Sequence, residues 1–79
     1  MQQVLMALGK RLRELRAERG VSQEAFADLC GLHRTAMSLL ERGKRVPSLR
    51  TLLTLSQGFG IPLSELLEGI DRSVAKRRS

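Results

Sequence analysis

The sequence of 79 residues predicts an all-α fold, a compact bundle of five helices. Apolar residues recur at spacings of three and four, and no segment alternates apolar and polar residues as a half-buried strand does. Serine precedes and glycine follows several of these apolar runs, as is typical of helix ends. We expect one domain over residues 1–70, with an extended first helix, and a basic, disordered tail over residues 71–79.

The first helix is predicted from Gln3 to Arg19 and the second from Ser22 to Gly31. Gly20 ends the first helix, because glycine adopts the left-handed conformation without strain. The Ser22 hydroxyl is a good N-cap for the second helix, since it accepts a hydrogen bond from a backbone N–H that lacks a helical partner. The apolar stripe of the first helix comprises Val4, Leu5, Leu8, Leu12 and Leu15.

The third helix is predicted over residues 33–42, the fourth from its N-cap Ser48 to Gly60, and the fifth from Ile61-Pro62 onward. The loop over residues 43–47 is short and cationic. Apolar residues expected to face the core are Leu49, Leu52, Leu53 and Leu55 in the fourth helix and Leu63, Leu66, Leu67 and Ile70 in the fifth.

Residues 22–43, SQEAFADLCGLHRTAMSLLERG, have the pattern of a helix-turn-helix, whose second helix enters the major groove of DNA. Ala27 is small enough for two helices to cross closely, and Gly31 tolerates the positive φ of the turn. The residues expected to pack this pair onto the rest of the domain are Phe26, Cys30, Leu32, Met37 and Leu40. We therefore predict double-stranded DNA as the partner.

A helical wheel divides the third helix into a core side and an opposite side that faces DNA. Met37 and Leu40 define the core side. Arginine reads guanine through two hydrogen bonds, and leucine packs on a thymine methyl group. The predicted base contacts on the opposite side and its flank are Arg34, Thr35, Ser38 and Leu39. The alternative is that Leu39 packs in the core and that the other three are ordinary surface residues.

Backbone N–H groups at helix N-termini bind phosphates, and the sequence places polar residues at several such ends. Gln23 is the side chain best suited to clamp a phosphate, whereas Ser22 and Ser48 also fit simple capping. Cationic residues after the third helix supply a sequence-independent attraction to DNA. The predicted phosphate contacts are Ser22, Gln23, His33, Arg42, Lys44, Arg45 and Ser48.

Composition excludes most other functions. The formal net charge of +6 favours a polyanionic partner, although Glu14 and Glu18 pair part of the first helix's charge. One cysteine, Cys30, excludes an internal disulfide, and with a single histidine no metal or cofactor is expected. The pattern contains no nucleophile–base pair, paired carboxylates or phosphate-binding loop that would indicate an enzyme. Short apolar runs exclude a membrane span, and the N-terminal charge order is not that of a secretory signal, which favours the cytoplasm.

Three stretches, LRELRAERGVSQEAFA, GLHRTAMSLLERG and PSLRTLLTLSQGFGIPLSELL, resemble the lambdoid phage repressor, or Cro/C1-type, helix-turn-helix family. The resemblance extends from Leu8 to about Glu68, and the first seven residues extend the first helix beyond the family's usual start. It implies a five-helix fold and a role in transcription regulation, usually as a homodimer on a palindromic operator.

The resemblance also assigns roles to residues. Gln23 matches a glutamine that clamps a phosphate. The family's base-contacting positions fall on Arg34, Thr35 and Leu39, and positions that mostly reach the DNA backbone fall on Ser38, Arg42 and Lys44. Arg16 and Glu41 match an ion pair between the first and third helices, and the wheel also turns Glu41 toward the core, where an unpaired carboxylate is costly. Ala36 and Leu39 depart from the family's frequent tyrosine and polar base reader, so the operator preference does not carry over.

We predict a sequence-specific DNA-binding transcriptional regulator, a repressor or a restriction–modification controller, that binds a palindromic operator as a homodimer. The candidates for a dimer seam are Phe59, Ile61, Leu63 and Leu67; the alternative is that they fill the monomer core. The competing function is a protein-interaction module, antitoxin-like or bridging, but the basic face of the third helix argues against it. A protein partner such as RNA polymerase or a toxin is not identified by the sequence.

Overall fold

The computed structural model describes residues 1–72, and this part of the chain contains α-helices and no strands. In chain order the helices are α1 (Gln2–Arg19), α2 (Gln23–Cys30), α3 (Arg34–Glu41), α4 (Leu49–Phe59) and α5 (Leu63–Leu66). The predicted all-α fold of five helices is therefore confirmed. Of the tail predicted over residues 71–79, residues 73–79 lie outside the described part.

Local signals define the ends of the helices. The Ser22 Oγ accepts a hydrogen bond from the Ala25 N–H at 3.0 Å, and the Ser48 Oγ accepts one from the Thr51 N–H at 3.1 Å, so both predicted N-caps are confirmed. At the end of α2, Gly31 has a φ of 70°, the left-handed conformation predicted for the turn. A short turn therefore joins the two helices of the helix-turn-helix.

The core is built from all five helices. Four of them contribute a side chain with no exposed surface: Leu12, Met37, Leu55 and Leu66. Phe26 of α2 stacks on Phe59 of α4 with the ring centroids 4.0 Å apart. The predicted helix-turn-helix core residues Phe26, Ala27, Met37 and Leu40 are buried, and Cys30 and Leu32 are half-buried against them. The helix-turn-helix is thus one part of a continuous core.

The prediction for α4 is partly wrong. Leu49 is 65% exposed and Leu53 is 43% exposed, although both were expected to face the core. The buried face of α4 carries Leu55 and Phe59, and the helical period turns Leu49 and Leu53 to one side of it. These two leucines are one helical turn apart and form an apolar strip on the surface.

The prediction for the dimer seam is corrected at Phe59. This side chain is 5% exposed and stacked inside the monomer, so it has almost no surface left for a partner. The other candidates, Ile61, Leu63 and Leu67, are half-buried and pack against the core. Helix α5 is also shorter than expected, since it ends at Leu66.

Arginines of α1 bond to the C-terminal turns of three other helices. Arg13 donates from Nη1 to the carbonyl of Glu41 at the end of α3. Arg19 donates to the carbonyl of Phe59 at the end of α4 at 3.0 Å, and Arg11 donates to the carbonyl of Glu65 in α5 at 2.9 Å. The last carbonyls of a helix lack helical partners and form the negative end of its dipole. These arginines therefore stabilise the bundle, and part of the positive charge is structural.

Candidate nucleic-acid interface

Helix α3 is held to the domain by its core side. Met37 is 0% exposed and Leu40 is 2% exposed, as the helical wheel predicted. The four predicted base-contacting residues lie outside the core: Arg34 and Thr35 are exposed, and Ser38 and Leu39 are half-buried. Leu39 is not part of the core cluster of the described residues, so the alternative hypothesis that it packs in the core is wrong. The outer side of α3 therefore combines a cation, two hydroxyls and an apolar group.

A cationic edge follows α3. Arg42 at the C-cap is exposed and donates from Nε to the Ser38 Oγ at 3.2 Å, one turn earlier. Gly43 has a φ of 70° and turns the chain away from α3, so the next two residues, Lys44 and Arg45, are exposed. Neither of them forms an ion pair within residues 1–72. Their charges are available to a ligand of negative charge.

The helix N-termini differ in what their side chains do. Ser22 and Ser48 are exposed but already cap their helices, and a hydroxyl has a second lone pair for another partner. His33 occupies the N-cap position of α3, yet its side chain makes no capping hydrogen bond and is exposed. Gln23, the first residue of α2, is half-buried and donates from Nε2 to the Glu41 Oε1 at 3.2 Å.

A buried ion pair joins α1 to the end of α3. The Arg16 Nε lies 2.6 Å from the Glu41 Oε2, and the Arg16 Nη2 lies 2.9 Å from Oε1. The Glu41 side chain is 3% exposed, so a lone carboxylate there would be costly. The hydrogen bond to Glu41 raises the pKa of Arg16 above its usual value, against the effect of partial burial. The structure thus contains the pair that the family resemblance implied.

Sequence reasoning missed Gly9, a buried glycine in the middle of α1. A Cβ at this position would overlap the carbonyl oxygen of Glu41 and lie 2.8 Å from the carbonyl carbon. The glycine therefore lets the end of α3 approach the backbone of α1. An isolated glycine inside a helical pattern is the signal that could have identified this contact.

Two further features, a metal site and a membrane-spanning helix, are absent from the described residues. Within residues 1–72, no group of three His, Cys, Asp or Glu side chains is placed to hold a metal ion. No helix in this part of the chain has both the length and the apolar character needed to cross a membrane. What the surface of α3 and the loop after it offer is hydrogen-bond donors and positive charge.

A short helix, a tight turn and a second helix with a polar, cationic outer side define a helix-turn-helix domain. The chain belongs to the helix-turn-helix family HTH_3, which matches residues 12–66. This match covers both helices of the motif, the C-terminal part of α1 from Leu12 onward, all of α4 and α5 through its last residue. It agrees with the resemblance to the Cro/C1-type proteins noted in the sequence.

Three known proteins show the likeness in detail. The chain is 44% identical over 66 residues to the HTH-type transcriptional regulator DdrOP3 of Deinococcus deserti, covering 84% of this chain and 51% of that protein. It is 42% identical over 73 residues to the control protein C.MunI of a Mycoplasma species, covering 91% and 99%. The crystal structure of the restriction-modification controller protein C.AhdI from Aeromonas hydrophila matches with 45% identity and a TM-score of 0.76, covering 78% and 94%. The chain thus spans about half the length of DdrOP3 and nearly all of both controllers.

Proposed function

We propose that this protein is a DNA-binding transcriptional regulator that inserts α3 into the major groove. The observation that carries this function is the division of α3 into a buried side and an outer side with exposed Arg34 and Thr35. A helix held in this way presents its outer side chains to base edges without moving the rest of the domain. Membership of a helix-turn-helix family whose relatives are transcriptional regulators supports the same function.

Base reading is assigned to the outer side of α3. Arg34 would form two hydrogen bonds to a guanine, and Leu39 would pack on a thymine methyl group. Thr35 and Ser38 would add contacts from their hydroxyls to base edges or phosphates. Ser38 also accepts a hydrogen bond from Arg42, so the two residues would approach the DNA together.

Phosphate binding is assigned to residues around α3. Gln23 is the side chain proposed to clamp a phosphate, and the exposed Arg42, Lys44 and Arg45 would supply electrostatic attraction. The remaining proposed contacts come from helix starts: Ser22, His33 and Ser48. Each cation that neutralises a phosphate changes the slope of log K against log salt by about 0.9, so the roles of Arg42, Lys44 and Arg45 are measurable one at a time.

We further propose a homodimer on a palindromic operator, with one copy of α3 in each half-site. A two-fold axis in the protein would match the two-fold axis of such DNA, with half-sites about 34 Å apart. The exposed strip formed by Leu49 and Leu53 supports a self-association surface, together with the half-buried Ile61, Leu63 and Leu67. We propose the cytoplasm as the location of this activity, which is consistent with DNA as the partner.

Among regulators, a restriction–modification controller is the role that we favour. The chain matches two controller proteins over 94% and 99% of their lengths, but spans 51% of DdrOP3. No catalytic step is proposed for it. A protein-interaction module remains the competing function, and the outer side of α3 is what distinguishes the two, because a bridging module has no need of an arginine and hydroxyl face.

Selection of bound sequences from a random duplex pool at about 150 mM salt tests this function, since this salt concentration suppresses non-specific binding. We expect recovery of a palindrome whose half-site spacing matches one helical turn of DNA. Sedimentation of the protein with the recovered duplex then gives the number of chains bound. If no duplex sequence is enriched, sequence-specific DNA binding is wrong and the protein-interaction module is favoured.

A further inference from the structure

The carboxylate of Glu41 has three hydrogen-bond donors from two different helices. Its Oε2 accepts from the Arg16 Nε at 2.6 Å, and its Oε1 accepts from the Arg16 Nη2 at 2.9 Å. The same Oε1 accepts from the Gln23 Nε2 at 3.2 Å. Arg16 belongs to α1, Gln23 is the first residue of α2 and Glu41 is the last residue of α3. One buried carboxylate thus connects three helices.

We propose that Glu41 is a positioning residue for DNA binding, because it holds the Gln23 side chain in the orientation that clamps a phosphate. This inference rests on the proposed function, in which Gln23 contacts the DNA backbone. A glutamine amide has two N–H donors, so one remains for a phosphate when the other is bound to Glu41. A hydrogen bond to an ionised carboxylate is stronger than a neutral one, which suits an anchor.

The surroundings of Glu41 make it a fixed anchor. Its side chain is 3% exposed, so water does not compete for the oxygen that Gln23 uses. Arg16 also donates from Nη1 to the carbonyl of Val21 at 3.0 Å, two residues before Gln23. Arg13 bonds to the backbone carbonyl of Glu41. Arg16 therefore holds both the chain just before α2 and the end of α3, and Arg13 adds a second bond to the end of α3.

Preorganisation is what this arrangement would contribute. A free glutamine side chain loses rotamer freedom when it binds a phosphate, and that loss weakens binding. Gln23 held by Glu41 has already lost this freedom in the unbound protein. Because Glu41 is on the helix that reads bases, the phosphate contact and the base contacts would keep a constant relative position.

A double-mutant cycle on DNA affinity tests the proposal, with Glu41→Gln and Gln23→Ala measured alone and together. We expect Glu41→Gln to weaken binding to the selected duplex by about two- to tenfold. The slope of log K against log salt should not change, since Gln23 carries no charge. In the Gln23→Ala background, Glu41→Gln should have no further effect. Equal weakening in both backgrounds would overturn the proposal and leave Glu41 a residue of the fold alone.

Two further measurements separate positioning from loss of folding. Arg19→Gln is the matched control, because Arg19 bonds to the end of α4 and a purely structural loss there should leave affinity unchanged. Glu41→Asp keeps the negative charge for Arg16 but draws the carboxylate back from Gln23, so it should reproduce the weaker binding. If Glu41→Asp binds like the wild type, the anchoring role is wrong.

A readout without DNA keeps this inference distinct from the proposed function. The side-chain amide signals of Gln23 in an ¹H–¹⁵N spectrum are identified by their loss in Gln23→Ala, and they should shift in Glu41→Gln. Unshifted signals would show that the anchor does not exist in solution. If the wild type binds no duplex, the proposed function fails first, and the positioning role fails with it even where the shift is seen.

Discussion

Arg19 of α1 donates a hydrogen bond to the carbonyl of Phe59 at 3.0 Å, and its guanidinium carbon lies 5.2 Å from the centroid of the Phe59 ring. One side chain therefore satisfies the end of α4 and covers the aromatic pair at the centre of the core. The same residue is also 3.7 Å from Glu18, on its exposed side, where an ion pair contributes little.

Replacement of Arg19 by alanine is expected to reduce the free energy of unfolding by about 1–2 kcal/mol, because a hydrogen bond and a cation–π contact are lost. In a domain of this size, each kcal/mol of lost stability lowers the melting temperature by about 4–8 °C. Thermal unfolding followed by circular dichroism measures it. Arg19→Lys should recover part of the loss, because the charge is kept; a full loss in Arg19→Lys would point to the geometry of the guanidinium alone.

Removal of the buried carboxylate should have a larger effect. Glu41→Ala leaves Arg16 without its partner, and breaking a buried pair from one side costs about 3–5 kcal/mol. Chemical denaturation measures this loss directly. The exposed Glu14 is the matched control on α1, and Glu14→Ala should change the free energy of unfolding by no more than about 0.5 kcal/mol. An unchanged free energy of unfolding in Glu41→Ala would remove the ion pair as a source of stability.

Gly9→Ala provides a test in which two effects have opposite signs. Helix propensity favours alanine over glycine by about 1 kcal/mol inside a helix. The backbone of Glu41 occupies the space of the new Cβ, however, so we expect net destabilisation. Comparison of Glu14→Gly with Glu14→Ala, at an exposed position inside the same helix, gives the propensity difference alone and so separates the two effects in thermal unfolding. A more stable Gly9→Ala variant would show that α1 and α3 are further apart than described.

Much of the fold could be predicted because it depends on local signals. Ser22 and Gly31 set the ends of α2 through their own backbone and hydroxyl chemistry, and the helical period identified Met37 and Leu40 as the core side of α3. The same period identified the outer side of α3. These features require no knowledge of which helices are neighbours.

Features that depend on distant residues could not be predicted. Arg11 bonds to a carbonyl 54 residues away and Arg19 to one 40 residues away. The sequence suggested only that Glu14 and Glu18 pair part of the charge of α1, and the Arg19–Glu18 pair agrees with that. Phe59 was expected at a dimer seam, because the pattern of a single helix does not show that Phe26 covers it. The bond from Gln23 to Glu41 joins residues 18 apart and has no local signal.

Cys30 should make stability depend on pH in the alkaline range. Burial raises the pKa of the Cys30 thiol, so the folded state keeps a proton that the unfolded chain releases. The stability from this difference is fully present below the pKa of the unfolded thiol and is lost as pH rises through the folded value. Denaturation between about pH 7 and pH 10 measures it. The dependence should be weaker in Cys30→Ala; an identical pH profile would exclude the thiol as its source.

Arg34→Ala should change specific binding and spare non-specific binding. Loss of two hydrogen bonds to one base weakens binding to the selected duplex by about 1–3 kcal/mol, whereas a random duplex is held by phosphate contacts that other cations supply. Titration of both duplexes at the same salt concentration measures the two losses. Lys44→Ala is the matched control, because an exposed cation after α3 should weaken both duplexes by a similar factor. Equal losses for the two duplexes in Arg34→Ala would make Arg34 a phosphate contact, and base reading would then depend on Thr35 and Leu39.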